Sequence, residues 1–552
     1  MGGLRRSWVE SGGVRVSLVE QGSGPVVILV HGYPDNLSVW DGVAARLAER
    51  FRVVRYDVRG HGHSEAPTTR DGYRVERLHD DLRAVKDAVS PDEAVHLVGH
   101  DWGSIQCWGA LDPALFRSYT SISGPDLDQI SVWLKGWRRH PLKVLRQVVH
   151  SWYIGAFQVP RLPELVWRSR RLLTKFHADR RDARNGVELY RANMMKPGKP
   201  PRTITLPVQQ IALTQDPFVT RALLDVADPW CPNLWRRELA AGHWAPRTHP
   251  DAVTRLVTQF VDHVDGQAAP RELARARRGG DKKSMGGQLA VVTGAGSGIG
   301  RETAIALAAA GAEVLCVDID LDAAKTTAAR AGGTAYELDV SDGPASERLA
   351  GTIAREHGVP DLVMANAGIG VAGSFLDTSV DDWRRVLDVN LWGVIHTLRA
   401  FLPAMVERRE GGHVVITSSA AGYLATPTLP AYSTTKAGVL MLAQCLAGEL
   451  DEAGIGVSAI CPGFVHTNIT ATTRFAGTTP DEERTRRQRA FAMYERRGYG
   501  PEKVARAVLE AVRAGRLVVP VTPEARAGAF GVRYAPATTR VIGRWIGARA
   551  PR

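Results

Sequence analysis

The chain has 552 residues, 44% of them hydrophobic and 23% charged, with 55 glycines and 31 prolines. That length exceeds a single core, which closes at about 100 to 200 residues, and the balanced composition excludes a disordered, collagen-like or low-complexity chain. Seventy Lys and Arg against 58 Asp and Glu leave a formal net charge of +12, which suits nucleic acid, anionic lipid or an anionic cofactor and cannot by itself choose among them.

The cysteines, Cys107, Cys231, Cys316, Cys445 and Cys461, are odd in number and form no C-x-x-C pair. Neither a disulfide framework nor a metal site is expected, and a reducing, cytoplasmic setting fits. Residues 1–16 alternate polar and apolar side chains, and no stretch reaches the ~18 uninterrupted apolar residues of a membrane span. Neither a signal peptide nor a transmembrane helix is expected.

From Val14 to about His263, short β-branched runs alternate with helix-like segments. The runs at 26–30, 52–56 and 95–98 each lead into His, Asp or Gly, as parallel strands do where they meet functional loops. Between residues 126 and 206 this rhythm gives way to Trp, Arg and Leu at helical spacing, as in Trp133, Leu134 and Trp137 and again in Leu165, Trp167 and Leu172, the pattern of an inserted helical cap. Residues 265–287, with Pro270, a basic run at 275–278 and two Gly-Gly pairs, read as a linker. A second βαβ series opens at 289–292 and continues through 314–317, 362–365, 414–417 and 457–460. The predicted organisation is two α/β domains, 1–264 and 288–522, followed by a basic tail, 523–552. Their loop chemistries differ, so the halves are not a duplication.

In the first domain, Gly99-His-Asp-Trp-Gly103 directly follows a strand and precedes a helix-like segment. Small residues at both flanks permit a tight turn that raises Asp101 where hydrolases often carry serine. An ionised carboxylate needs no base to attack carbon, and displacing a leaving group makes an ester that water must then cleave. The water-activating base is expected to be His243, oriented by Asp216, because the order nucleophile, acid, histidine matches the hydrolase arrangement. Asp126 and Asp128 are rival positions for the orienting acid. Oxyanion donors are expected from the backbone N–H groups of Trp102 and Tyr33, while His31 and His100 support the turns rather than act as bases.

These residues resemble the epoxide hydrolases of the α/β-hydrolase superfamily across the whole domain. The resemblance implies two cap tyrosines that hydrogen-bond and protonate the epoxide oxygen, and Tyr153 and Tyr190 stand in similar contexts. Haloalkane dehalogenases share the aspartate elbow and the acid–histidine pair, and Trp102 serves either chemistry. The two phenols favour the epoxide, since a dehalogenase needs halide donors such as Trp or Asn. Each tyrosine also has a plain reading as amphipathic cap packing.

In the second domain, Thr293-Gly-Ala-Gly-Ser-Gly-Ile-Gly300 follows a strand and opens a helix-like run, so its glycines let the backbone approach a pyrophosphate at a helix N-terminus. The spacing of Gly294, Gly298 and Gly300 departs from the standard dinucleotide fingerprint. Asp318, at the end of the next strand, is placed to accept from both ribose hydroxyls and to repel a 2′-phosphate, favouring NAD, while Arg301 leaves room for NADP. Tyr432 and Lys436, four apart, share one helix face, so the ammonium is expected to lower the phenol pKa, and Ser419, with Ser418 as competitor, to bond the substrate oxygen.

This set resembles the short-chain dehydrogenase/reductase family from about Gln288 to Pro520. The resemblance implies that Asn390 completes a tetrad by holding a water in the relay to Lys436. It further implies that Asp339 and Val340 contact adenine, that Asn366, Ala367 and Gly368 support the central strand, and that Pro462, Gly463, Val465 and Thr467 flank the nicotinamide, with Ser297 and Ile299 in the glycine loop. Homo-oligomers through this domain are an inherited expectation.

The fold class is thus α/β throughout, an α/β-hydrolase fold with a helical cap joined to a Rossmann-type dehydrogenase fold, as in actinobacterial fusions of the two. The expected function is bifunctional: epoxide to vicinal diol, and NAD(P)-dependent exchange between a secondary alcohol and a ketone, with small and lipid-like molecules as substrates. The diol of the first step is a candidate substrate for the second. Alternatives are a dehalogenase-type first domain, or one active domain with the other structural. Dispersed basic residues and the lack of an aromatic stacking module argue against nucleic acid. Arg533, Arg540, Arg544 and Arg549 around Val541, Ile542, Trp545 and Ile546 read as a basic amphipathic helix that packs on protein or touches anionic lipid.

Overall fold

The computed structural model describes residues 4–194, 198–279, 283–467 and 469–535, and it divides into two compact units, Met1–Gly280 and Asp281–Arg552. The tail residues from Arg540 to Arg549 singled out above lie outside the described residues; Arg533 sits in the helix Pro523–Tyr534.

The described part of the first unit is built on an eight-stranded sheet. Its strands are β1 (Arg5–Ser11), β2 (Val14–Gln21), β3 (Val26–Val30), β4 (Arg52–Tyr56), β5 (Val95–His100), β6 (Phe116–Ile122), β7 (Val208–Leu213) and β8 (Leu234–Leu239), in the order β1-β2-β4-β3-β5-β6-β7-β8. The polar–apolar alternation near the N-terminus is explained by β1 and β2, an antiparallel edge hairpin with one face wet, whereas β3 and β5 are apolar runs buried on both sides. Two buried layers, one around Trp108, Phe116 and Tyr119 and one around Trp40, Leu256 and Phe51, cover opposite faces of the sheet. Between β6 and β7 stand the helices Leu127–Lys135, Pro141–His150, Trp152–Gln158, Leu162–Val166, Arg170–Phe176 and Arg180–Asn193, which form the cap.

Residues 265–287, expected to be a linker, include side chains packed into the cores of the two units. Helix Arg271–Ala276 buries Leu273 against Trp235 and Phe260, Arg277 lies over the Trp235 ring, and Arg278 pairs with Asp228 at 2.6 Å. On the other side Met285 is buried in the second unit's core. One leucine and one methionine among Gly, Lys and Arg are too weak a pattern to mark a helix, yet each fills an apolar hole that tertiary structure provides.

The second unit carries an all-parallel seven-stranded sheet in the order β11-β10-β9-β12-β14-β15-β17. These are β9 (Leu289–Thr293), β10 (Glu313–Asp318), β11 (Thr334–Glu337), β12 (Leu362–Ala365), β14 (Gly412–Thr417), β15 (Ile455–Cys461) and β17 (Val518–Pro520), while β13 (Val371–Ala372) and β16 (Arg474–Phe475) pair separately. The order reverses direction between β9 and β12, and a ligand crevice opens at such a switch point, beyond the strand C-termini. The helical run Val380–Arg408 is long and apolar enough to cross a membrane by composition alone, but it buries Val386, Leu398, Phe401 and Met405 in this unit.

Candidate active sites

Asp101 follows β5 with φ 52° and ψ −123°, a left-handed backbone that a non-glycine residue holds only when its surroundings impose it. Gly99 and Gly103 impose it here: a Cβ at Gly99 would lie 2.6 Å from the Cα of Ser104, and one at Gly103 would collide with the carbonyl oxygen of Val30. The turn lifts the carboxylate onto the start of helix Trp102–Ala110, where the backbone N–H of Trp102 donates to Asp101 Oδ2 at 2.7 Å. Gly32 backs onto the same turn, since a Cβ there would sit 2.5 Å from that of Asp101, and this brings the Tyr33 backbone beside the elbow. The Tyr33 phenol itself donates to the Ala183 carbonyl at 3.0 Å. A tenth of the Asp101 side-chain surface remains open.

His243 Nδ1 lies 2.8 Å from Asp216 Oδ2, and its Nε2 lies 3.8 Å from Asp101 Oδ1. Asp216 is pinned by the N–H groups of Phe218 and Val219, at 2.7 and 3.1 Å. Of the three candidate acids only Asp216 meets the histidine. Asp126 caps helix Leu127–Lys135 through the N–H groups of Asp128 and Gln129, and Asp128 accepts from the Lys199 N–H. His100 Nε2 holds the His243 carbonyl at 2.8 Å, and His31 bridges the Gly32 carbonyl and the Val58 N–H; burial pushes both imidazoles down to about 3, so they stay neutral.

Charge in this site is concentrated. Burial opposes protonation of His243, but the Asp216 and Asp101 carboxylates outweigh it and push its pKa up to about 10. Burial likewise works to raise Asp216, yet the His243 cation and the Phe218 amide hold it below the ordinary carboxylate value. For Asp101 burial wins, and its pKa is raised. The tyrosines converge on the same space: Tyr153 and Tyr190 lie edge to face with ring centroids 5.9 Å apart, and Tyr190 stands 5.0 Å from Trp102. Burial, and then the proximity of anions such as Asp101, raise both phenols above their ordinary value, so they remain proton-bearing donors. Phe157 and Phe218, which the sequence reading passed over, complete the wall, Phe218 packing on both Tyr153 and His243. Phe218 lies two residues past Asp216, which is the one local signal that pointed to it.

In the second unit the glycine loop carries Gly294 and Gly298 at φ 66° and 55°, and Gly300 approaches the Gly294 carbonyl so closely that no Cβ fits. Ser297 immediately precedes helix Gly298–Ala309, which places Ile299 and Gly300 in its first turn, and Thr467 lies against Gly298. The Gly296 N–H donates to Asp318 Oδ2 at 2.7 Å, so Asp318 braces the loop, with Asp320 beside it. Arg301 pairs with Glu302 at 3.0 Å. Asn366 donates to the carbonyls of Thr293 and Gly294 and accepts from Thr417, tying together the ends of β9, β12 and β14. Asp339 closes a turn with Ser341, and Val340 is buried against Gly393.

Tyr432 and Lys436 lie on helix Pro430–Leu450, with the ammonium 5.7 Å from the phenol ring centroid. The expected lowering of the phenol pKa by Lys436 is not what the site does. Nζ donates to the Thr417 carbonyl at 2.9 Å, burial pushes Lys436 down to about 8, and burial raises Tyr432 against the opposing bond from Ser419. Ser419 thus meets the phenol, whereas Ser418 is turned inward onto the Lys436 carbonyl at 2.8 Å. Asn390 sits on a single π-helical turn, Asp388–Trp392, and bonds both the N–H and the carbonyl of Ile369; beside it Gly368 has room for no large side chain between Asn390 and Lys436.

Gly294, Gly298, Asp318, Asn366, Ser419, Tyr432 and Lys436 line one crevice of about 1800 Å³. The Cβ-free cradle at Gly294 and Gly300, the helix N-terminus and the carboxylate of Asp318 fit the pyrophosphate and ribose of a dinucleotide. One wall was illegible in the sequence. Glu524, on helix Pro523–Tyr534, accepts from the Phe464 N–H at 2.9 Å, ion-pairs with Arg497 and fills the space where a Cβ on Gly463 would go, while Thr522 accepts from the Gly463 N–H. Thus Pro462, Gly463 and Val465 are clamped from a helix some 60 residues later.

Residues 288–476 match the short chain dehydrogenase model, and residues 25–151 match the alpha/beta hydrolase fold model. Over 558 aligned positions the chain is 42% identical to the probable oxidoreductase EphD of Mycobacterium tuberculosis (strain ATCC 25618 / H37Rv), covering 93% of this chain and 94% of that one. The chain belongs to the EphD family. Members of this family join an α/β-hydrolase unit to a short-chain dehydrogenase unit, so both a hydrolase-type and an oxidoreductase-type unit are present here. Similar solved structures include a short chain dehydrogenase/reductase from Burkholderia phymatum in complex with NAD (31% identity, 48% of this chain, 96% of that one, TM-score 0.42) and an epoxide hydrolase of Bacillus megaterium in complex with an inhibitor (21% identity, 46% and 100%, TM-score 0.40).

Proposed function

We propose that the first unit hydrolyses epoxides to vicinal diols through an ester on Asp101, and that the second interconverts a secondary alcohol and a ketone with NAD. The observation that carries the first part is the Asp101 carboxylate on its strained turn, backed by His243 and Asp216, with the phenols of half-buried Tyr153 and buried Tyr190 beside it. The desolvated carboxylate attacks an epoxide carbon, the C–O bond breaks, and Tyr153 or Tyr190 gives its proton to the leaving oxygen. Esterification removes one of the two anions that hold His243 protonated, so the imidazolium releases a proton that restores the phenol and becomes a base. Water then loses a proton to His243 and adds to the ester carbonyl, whose oxygen faces the Trp102 and Tyr33 N–H groups; collapse frees the diol and regenerates the Asp101 carboxylate.

In the second unit, a bound nicotinamide dinucleotide supplies the two-electron acceptor or donor. Ser419 holds the substrate oxygen, and Tyr432 exchanges its proton. Lys436 and Asn390 orient the far end of the crevice. The carboxylates Asp318 and Asp320 at the ribose end support NAD over NADP, since a 2′-phosphate would meet two negative charges. Covalent joining makes the diol of the first reaction a candidate substrate for the second.

Intact-mass measurement tests the hydrolase reading. His243→Gln protein incubated with a panel of epoxides is expected to gain the mass of one epoxide, and the gain should vanish in the double variant with Asp101→Asn. An unmodified mass with every epoxide, or halide release from haloalkanes in its place, overturns the reading.

A further inference from the structure

Helix Pro141–His150 in the cap is mounted inside out. A surface helix buries its apolar stripe, yet here the buried side chain is Gln147, which bonds Thr220, the Phe218 carbonyl and Ser151. Leu142, Leu145, Val148 and Val149 face outward, Leu142 at 79% and Val149 at 62% exposure. The positions 142, 145, 148 and 149 fall on one helical face, and the patch continues onto Trp137 and onto Trp152, which is 72% exposed. Exposed apolar surface of this extent costs free energy in water and marks an interaction site.

Along the segment that carries the patch the charge has one sign. Between residues 131 and 152 there are five basic side chains, Lys135, Arg138, Arg139, Lys143 and Arg146, and no Asp or Glu. Over residues 127–176 ten Lys and Arg face two Asp and Glu, a net +8 out of the chain's +12. All five of the nearer cations are exposed, and Arg138 lies over the Trp137 ring.

We infer that this cap face docks on an anionic lipid surface, with Leu142, Leu145, Val149 and Trp152 in the acyl boundary and the flanking cations at the headgroups. A leucine–valine face bordered by Trp, Lys and Arg is the pattern of a helix lying in a membrane interface, and the single sign of the charge selects anionic lipid over neutral lipid or a second copy of this equally cationic face. The docked helix leads straight into helix Trp152–Gln158, which carries Tyr153, and its Gln147 holds the Phe218 carbonyl beside Asp216. The inference does not depend on which substrate the first unit takes.

Flotation of the full chain with vesicles tests it. Binding is expected to vesicles of phosphatidylcholine containing phosphatidylglycerol, and little to phosphatidylcholine alone. The triple variant Leu142→Glu, Leu145→Glu and Val149→Glu is expected to weaken binding about tenfold or more. Replacing Arg138, Arg139, Lys143 and Arg146 by Gln should weaken it about fivefold per charge and flatten its salt dependence. Circular dichroism and the second unit's dehydrogenase turnover check that both variants fold. Three results overturn the inference: no vesicle binding by the unaltered chain; binding kept by the triple variant but lost on removal of residues 536–552; or a dimer in solution that the triple variant converts to monomer without any lipid binding.

Discussion

The two reactive sets are built in opposite ways. In the first unit Asp101, Asp216 and His243 arrive from three strand ends and meet as a buried cluster whose charges sustain one another, so His243 is pushed up to about 10. In the second, Tyr432 and Lys436 stand one turn apart on a single helix, and burial, opposed only weakly by Cys461 among the described residues, takes Lys436 down to about 8. A site assembled over long sequence distances depends on mutual charge. A site carried on one helix depends on what the surrounding wall withholds from water.

The largest expected effect comes from removing the proposed nucleophile. Asp101→Asn should lower epoxide hydrolysis by about 10⁴-fold or more while leaving NAD-linked turnover unchanged, as steady-state assays of both reactions on one preparation would read. A parallel loss in the second unit would break the independence of the two sites.

Cofactor choice offers a smaller effect. Asp318→Ser should raise the KM for NAD by about tenfold to a hundredfold and lower that for NADP, since a charged acceptor is lost and repulsion is relieved. An unchanged NAD:NADP ratio would assign Asp318 to bracing Gly296 alone. Glu524→Gln sharpens the same comparison. Weakening its pairing with Arg497 should raise the KM for the alcohol by about three- to tenfold, with kcat and epoxide hydrolysis nearly constant. Glu524→Asp should recover part of the loss, which a merely structural role would not show.

The smallest effect is on stability against pH. His243 has a folded pKa above its unfolded value, so its contribution is whole below about 6.5 and is lost as pH rises through about 10. Lys436 has a folded pKa below its unfolded value, so between about 8 and 10.5 the unfolded state binds more protons and this contribution rises with pH. Calorimetric scans from pH 7 to 10 should therefore show the first unit's transition falling relative to the second's. His243→Gln should flatten the first trend, and Lys436→Met the second.

Much of this was legible beforehand because it is local. Gly99 and Gly103 flank Asp101 within five residues, Tyr432 and Lys436 are one turn apart, and Gly294 to Gly300 stand where a strand turns into a helix. What was missed is non-local or electrostatic. Leu273 looked like linker because only Trp235 and Phe260 make it core. Glu524 looked like tail because only the folded sheet brings it to Phe464. The Lys436 ammonium was expected to act on its helix neighbour, but the Thr417 carbonyl, from β14, competes for it.

By itself the sequence determined two α/β units, the turn that carries Asp101, the glycine cradle and the helical pairing of Tyr432 with Lys436, since each follows from the backbone preferences and spacing of a few adjacent residues. Only the tertiary structure decided that Asp216 rather than Asp126 or Asp128 meets His243, that Ser419 rather than Ser418 meets Tyr432, and that Gln147 faces inward while Leu142 faces out. Those choices turn on which groups the fold brings together and which it leaves in water, a placement that spacing along the chain does not encode.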